Sequence, residues 1–255
     1  MSGVLAEILA TKAVEVATLR AQRFAPAPPR RPLSLARAAG EPLRLIAEIK
    51  HRSPSAGQLS TKLGVPERAA AYERAGADMV SVLCDARYFD GSFDQLAAAR
   101  RACSLPLLCK EFVIDEVQLD AARSHGADAV LIIVRCLEPA RVSALVRAAR
   151  ERELEPFVEV ATEDEARLAV DAGGTLIGVN ARDLDTLAMD AAHAARILAV
   201  LPATVVSVHL SGLKTPQAVS AVARSRAHAA LIGETLMRKD DPEPLLRELV
   251  AAARS

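Results

Sequence analysis

The 255-residue chain has no tryptophan, and its aromatic residues are limited to two tyrosines and five phenylalanines. Its core must therefore be aliphatic, and a hydrophobic content of 51% supplies that material. Neither sign of charge is in excess, with 32 Lys and Arg against 32 Asp and Glu. That balance argues against nucleic acid or any polyanion held by bulk charge, while leaving room for a local basic pocket. No apolar run approaches the roughly 20 residues of a membrane span. The opening stretch sets Glu7 and Lys12 among Leu5, Ile8 and Leu9, unlike the uncharged centre of a secretory signal. The expectation is a cytoplasmic protein with no membrane partner. Cys84, Cys103, Cys109 and Cys136 form no CxxC pair and no metal spacing, and they read as reduced, mostly buried thiols. His51, His125, His193 and His228 likewise contain no pair at ligand spacing. No G-x-G-x-x-G opens the first βα unit, which removes the main argument for an open dinucleotide-binding sheet.

What is present is a repeating rhythm. Short, almost continuously apolar stretches, the pattern of strands covered on both faces, occur at Leu43–Ile49, Met79–Leu83, Leu105–Cys109, Ala129–Val134, Glu155–Val160, Thr175–Val179, Thr204–Val208 and Ala229–Ile232. Between them lie Ala-, Leu-, Arg- and Glu-rich segments at 66–75, 92–103, 115–125, 138–152, 163–173, 190–200, 215–225 and 242–253. Their apolar residues recur at three and four, as in Val142, Leu145 and Val146. Eight strands each followed by a helix predict an α/β fold, a closed (β/α)8 TIM barrel. Before it, residues 3–24 read as an extra N-terminal helix, broken by the proline-rich Ala25-Pro-Ala-Pro-Pro-Arg-Arg-Pro32. Leu33–Ala39 is predicted as a short helical piece. Residues 1–42 are thus expected as a helical extension packed on a catalytic barrel of residues 43–255, one domain overall.

The chemistry concentrates where strands end. In Leu45-Ile-Ala-Glu-Ile-Lys-His-Arg-Ser-Pro-Ser-Ala-Gly57, Ile46, Glu48 and Lys50 are two apart and share one face of a strand. Burying a carboxylate and an ammonium in an apolar strand is costly unless both are paired. A structural salt bridge and an active site at the carboxyl end of a parallel strand both satisfy that condition. Further strand ends decide between them. Strand 3 ends in Lys110-Glu-Phe, strand 5 carries Glu159, and strand 6 ends Asn180-Ala-Arg182. Strand 7 ends His209-Leu-Ser211-Gly212 and strand 8 gives Gly233-Glu234. Polar residues on six strand ends of one barrel point to a site.

With those stretches assembled, the sequence resembles the indole-3-glycerol-phosphate synthase family of tryptophan biosynthesis. The matching segments include Ile46-Ala-Glu-Ile-Lys-His-Arg-Ser-Pro-Ser-Ala-Gly57, Tyr88-Phe-Asp-Gly-Ser92, Lys110-Glu-Phe-Val-Ile-Asp115, Ile177-Gly-Val-Asn-Ala-Arg-Asp-Leu184 and Ile232-Gly-Glu-Thr-Leu-Met237. They stand in family order and span nearly the whole chain. The resemblance implies a carboxy-lyase that closes 1-(2-carboxyphenylamino)-1-deoxyribulose 5-phosphate to an indole, losing carbon dioxide and water, with no metal or organic cofactor. It implies Lys110 as general acid at the carbonyl and Glu159 in the dehydration half. Lys50 then pairs with the substrate carboxylate or serves as second acid, and Glu48 positions the lysines. Asn180 hydrogen-bonds the reacting oxygens, and Arg182 and Ser211 orient the substrate. Burial and neighbouring cations are expected to lower the pKa of the lysines. Phosphate belongs where the loops after strands 7 and 8 meet a short helix, at Gly212, Gly233 and the backbone of Glu234, whose side chain should face outward. Ser53 and Arg182 complete that cradle by resemblance. Phe89, Leu131, Ile133, Leu184 and Leu187 are candidates for the aryl wall.

The chain departs from the family pattern at Leu210, where a glutamate usually precedes Ser-Gly. Leucine accepts no hydrogen bond, so a partner lysine is expected to lose an anchor and activity to fall or change. His209, one residue away, should point to the opposite side. A sugar-phosphate isomerase, a Schiff-base aldolase using Lys110 and a non-catalytic binder of phosphorylated ligands remain the alternatives. The expected partner is a phosphorylated small molecule, with the protein a monomer or weak homodimer.

Overall fold

A computed structural model describes residues 3–53, 57–60, 62–180 and 191–254. Its strands are β1 (Arg44–Ile49), β2 (Met79–Leu83), β3 (Leu107–Lys110), β4 (Ala129–Ile133), β5 (Glu155–Val160), β6 (Leu176–Asn180), β7 (Val206–Leu210) and β8 (Ala229–Ile232). Each pairs in parallel with its sequence neighbours, and β8 closes on β1 through Arg44↔Ala229 to Ala47↔Ile232. Helices alternate with the strands, as the three-and-four apolar spacing predicts. Left-handed glycines after helices, Gly76 at φ 91° and Gly126 at φ 92°, turn the chain back into the barrel.

The two faces of the strands enter different cores, except that the helix-facing Ser207 and His209 of β7 are buried polar residues. Residues facing the helices, such as Leu45, Ala47 and Ile49 of β1 and Val80 and Val82 of β2, join one large aliphatic cluster. Residues facing inward form a second, smaller cluster that includes Ile46, Met79, Leu108, Leu131, Ile133, Phe157, Val208, Leu210 and Leu231. Because strand side chains alternate, Glu48 and Lys50 inherit the inward direction of Ile46, and Lys110 that of Leu108. The first loop adds a two-stranded ladder between Arg52–Ser53 and Gly57–Gln58.

The N-terminal helix α1 spans Gly3–Arg20, shorter than the predicted 3–24, and packs against the helix Glu116–Ser124. Leu33–Ala39 is not a helix. Its exposure alternates with period two about a buried Leu35, and Leu33 and Leu35 reach the inward-facing cluster. The strap is held from outside at the Arg31 backbone and through the Arg31 and Arg37 side chains. Arg31 N–H donates to Asp128 at 2.7 Å, and the Arg31 guanidinium donates to the carbonyls of Leu105 and Arg100, each at 2.7 Å. Arg37 does the same for Ala227 at 2.8 Å and Ala223 at 2.7 Å. These partners precede strands or end helices, so the strap crosses the amino-terminal end of the barrel. Cys84, Cys103 and Cys109 are buried thiols and Cys136 is half-buried.

Candidate active site

At the carboxyl ends of the strands the inward row changes from apolar to charged. Lys50 Nζ lies 2.9 Å from Glu48 Oε1, and Lys110 Nζ lies 3.2 Å from Glu159 Oε2. Asn180 Nδ2 donates to the other Glu159 oxygen at 3.0 Å, and Ser211 Oγ donates to Asn180 Oδ1 at 3.2 Å. One hydrogen-bonded line thus crosses the mouth from the end of β3, through β5 and β6, to the residue after β7. All six residues predicted as catalytic stand on this mouth, in two groups that communicate through charge. Glu48 belongs to both groups electrostatically. Burial alone would raise its pKa, but Lys50 and Lys110 outweigh burial and hold it below the usual carboxylate range.

The lysine expectation needs correction. Burial does push Lys110 down, but the carboxylates Glu159 and Glu48 outweigh it, and its pKa is raised. The neighbours that matter are anions rather than cations. Lys110 therefore stands as a charged donor aimed into the cavity. Leu210 corrects the expected loss of a lysine anchor. It is buried and inward-facing, opposite Asn180 and Leu231 in register, yet neither lysine lacks a carboxylate. Gly178 makes the room: a Cβ there would meet Phe157 at 2.4 Å and Leu210 at 2.8 Å. His209 faces the helices, and burial lowers its pKa.

Gly233 has a role that composition does not reveal. A Cβ at this position would lie 2.5 Å from Glu48 Oε1, so the glycine admits the carboxylate as well as clearing the mouth. The short helix Glu234–Met237 follows it, as predicted. The Glu234 side chain accepts from Arg238 at 2.8 and 3.0 Å, an intrahelical pair that occupies its carboxylate. Ser211 and Gly212 are consecutive left-handed residues at φ 71° and 82°. For serine this conformation is uncommon, and it is tolerated here in the turn that sets its hydroxyl on Asn180.

On the opposite side of the mouth, the rings of Phe89 and Phe112 sit 6.2 Å apart and tilted by 36°. Phe112, not among the predicted wall candidates, stands two residues after Lys110 and packs against the inward-facing cluster. Ile133 stands level with Glu159 on β4, whereas Leu131 is level with Phe157 and floors the site from below. The Ser53 backbone belongs to the loop ladder after β1. Arg182, Leu184 and Leu187 lie outside the described residues.

Residues 5–249 match the indole-3-glycerol phosphate synthase family. An indole-3-glycerol phosphate synthase from an Exiguobacterium species is 41% identical over 245 residues, covering 96% of this chain and 95% of the relative. One from Mycobacterium ulcerans is 40% identical over 253 residues, covering 99% and 92%. Among solved structures, 3-hexulose-6-phosphate synthase from Salmonella typhimurium superposes with a TM-score of 0.66 at 15% identity, over 83% of this chain and 98% of the other. Thiamine phosphate pyrophosphorylase from Pyrococcus furiosus gives 0.64 at 13%, over 85% and 98%. These two likenesses concern the fold alone. The full-length sequence relationship and a mouth built from Lys50, Lys110, Glu48, Glu159 and Asn180 agree, and the chain belongs to the indole-3-glycerol phosphate synthase family.

Proposed function

We propose that this chain closes 1-(2-carboxyphenylamino)-1-deoxyribulose 5-phosphate to indole-3-glycerol phosphate, with Lys110 and Glu159 as the acid and base. The observation that carries the reading is the line Lys110–Glu159–Asn180–Ser211 across the barrel mouth. In the first half, the ring carbon bearing the carboxylate attacks the ketone carbon while Lys110 donates a proton to the ketone oxygen. The carbon–carboxylate bond then breaks, its electrons restore the aromatic ring, and carbon dioxide leaves. In the second half, the nitrogen lone pair expels the new hydroxyl as water with a proton from the second acid, Lys50, which is recharged from solvent, and a base removes the proton that remains on carbon. Glu159 is that base. Its 3.2 Å contact returns the proton to Lys110 and resets the pair.

Lys50 faces the departing carboxylate and acts as second acid, and Glu48 orients both lysines. Asn180 serves the reacting oxygens, and Arg182 and Ser211 orient the substrate. Ser53, Arg182, Gly212, Gly233 and the Glu234 backbone form the phosphate cradle, while Phe89, Leu131 and Leu184 contact the aryl group. No metal or organic cofactor enters this scheme. Among the described residues no helix is long and apolar enough to cross a membrane, and we place the reaction in the cytoplasm, in a monomer or weak homodimer.

The test is steady-state turnover followed by indole fluorescence, to which a chain without tryptophan adds no background. Wild type should turn over, and Lys110→Ala should lose about a thousandfold or more in kcat. Wild type that binds the substrate without forming indole would return the chain to the non-catalytic alternative. A borohydride-trapped adduct on Lys110 would make it an aldolase.

A further inference from the structure

Lys12 of α1 is fully buried and is surrounded by three carboxylates. Its ammonium lies 2.7 Å from Glu15, 2.7 Å from Asp85 and 2.9 Å from Glu111. Asp85 follows β2, and Glu111 follows Lys110 at the end of β3. Burial alone would lower the Lys12 pKa, but Glu111, Asp85 and Glu15 outweigh it, so the lysine stays charged. Burial pushes the Glu111 carboxyl up to about 7 against the pull of Lys12. Neither Asp85 nor Glu111 has solvent to fall back on, being 0% and 3% exposed.

Both carboxylates also hold backbone of the aryl side of the mouth. Asp85 Oδ1 accepts the Tyr88 N–H at 2.7 Å and caps the one-turn helix Ala86–Phe89, which carries Phe89. Glu111 Oε1 accepts the Phe112 N–H at 2.6 Å. Cys84 N–H donates to the Lys110 carbonyl at 2.9 Å, tying the two strand ends together. Through two carboxylates, one ammonium on an N-terminal helix thus fixes Phe89, Phe112 and the backbone beside Lys110.

We propose that Lys12 is a positioning residue: from the N-terminal extension it clips the ends of β2 and β3 together and so sets the shape of the aryl subsite. The proposal rests on the synthase reading for what occupies that subsite. The phosphate end of the substrate, by contrast, belongs to Ser53, Arg182, the loops after β7 and β8 and the Glu234–Met237 helix, none of which, among the described residues, is a partner of the Lys12 ammonium.

The experiment measures kcat and KM for the carboxyphenylamino-deoxyribulose phosphate, and Ki for inorganic phosphate as a competitive inhibitor. Wild type is compared with Lys12→Met and with the triple variant Lys12→Met/Asp85→Asn/Glu111→Gln. The triple variant removes the buried charges yet keeps acceptors for the Tyr88 and Phe112 N–H groups. The expected result in the folded variants is a KM raised about tenfold, kcat within about threefold of wild type and Ki for phosphate within about twofold. A folded variant with KM within about twofold of wild type overturns the clip, as does a phosphate Ki that rises in step with KM. Failure of both variants to fold also overturns it, because the cluster would then act on the whole fold. A wild type without turnover takes down the synthase reading at the control, before any variant is compared.

Discussion

Leu210 is the residue whose replacement tells most about this site. It stands beside Asn180 in register and faces the same cavity as Lys50 and Lys110. Since both lysines keep carboxylate partners without it, a carboxylate at this position has one vacant task, accepting a hydrogen bond from the substrate. Leu210→Glu should therefore raise kcat about fivefold, worth roughly 1 kcal/mol of transition-state stabilisation. It should also lower stability, because the new carboxylate displaces a leucine from an apolar cluster that includes Phe157 and Leu231. Steady-state kinetics beside a urea unfolding curve would separate the two effects. An unchanged kcat in a folded variant would mean that the leucine is neutral for catalysis and that two carboxylates suffice for two lysines.

Among the elements, the strap over residues 31–38 differs most from its sequence expectation. Its Leu33, Leu35 and Arg37 alternate, a period-two signal, while its alanines favour helix. The deciding contacts are long-range: Asp128 accepts the Arg31 N–H, the carbonyls at 100, 105, 223 and 227 anchor the Arg31 and Arg37 side chains, and no local window contains them. Leu35, 2% exposed, plugs the inner cluster from its amino-terminal end. Leu35→Ala should destabilise the protein by about 2–4 kcal/mol and leave kcat at 25 °C within twofold, read by urea unfolding and by turnover. The barrel strands behaved differently. Met79–Leu83, Glu155–Val160 and Ala229–Ile232 were legible to the residue, because a strand buried on both faces writes itself as an apolar block between turn residues. The charged residues at strand ends stood out in the sequence for the same reason, a charged side chain at the end of such a block being conspicuous. The direction of the Lys110 shift did not, since it depends on Glu159 and Glu48 arriving from other strands. The ion cluster at Lys12 was equally hidden, for a lysine in an N-terminal helix reads as a solvated face until Asp85 and Glu111 are brought to it.

Across the whole molecule, buried charge occurs at both ends of the barrel, and its position along the strands separates its consequences. At the carboxyl end Glu48, Lys50, Lys110 and Glu159 line the mouth, with the Lys12 cluster buried behind the ends of β2 and β3. At the amino end Asp128, fully buried, accepts from Arg31 N–H at 2.7 Å, Arg100 Nη1 at 2.8 Å and Leu107 N–H at 2.9 Å. It joins the strap, a helix and the start of β3, and it touches nothing that chemistry requires. From Asp128 to the level of Ile133 and Glu159 is five residues of strand, roughly 16 Å at the usual rise. Over that distance the packed inner cluster separates the two ends. Asp128→Asn loses the charge and turns an NH2 group toward donors, which should cost about 3 kcal/mol of stability while kcat of the folded enzyme stays within twofold. Glu159→Gln alters one atom of the same kind at the other end and should lower kcat by about a hundredfold or more. Measured together by unfolding midpoint and turnover, the pair tests whether the amino end carries stability and the carboxyl end carries the reaction. A tenfold fall in kcat for folded Asp128→Asn would show that strain passes along β4 to the mouth, and the two ends would then have to be treated as one coupled unit.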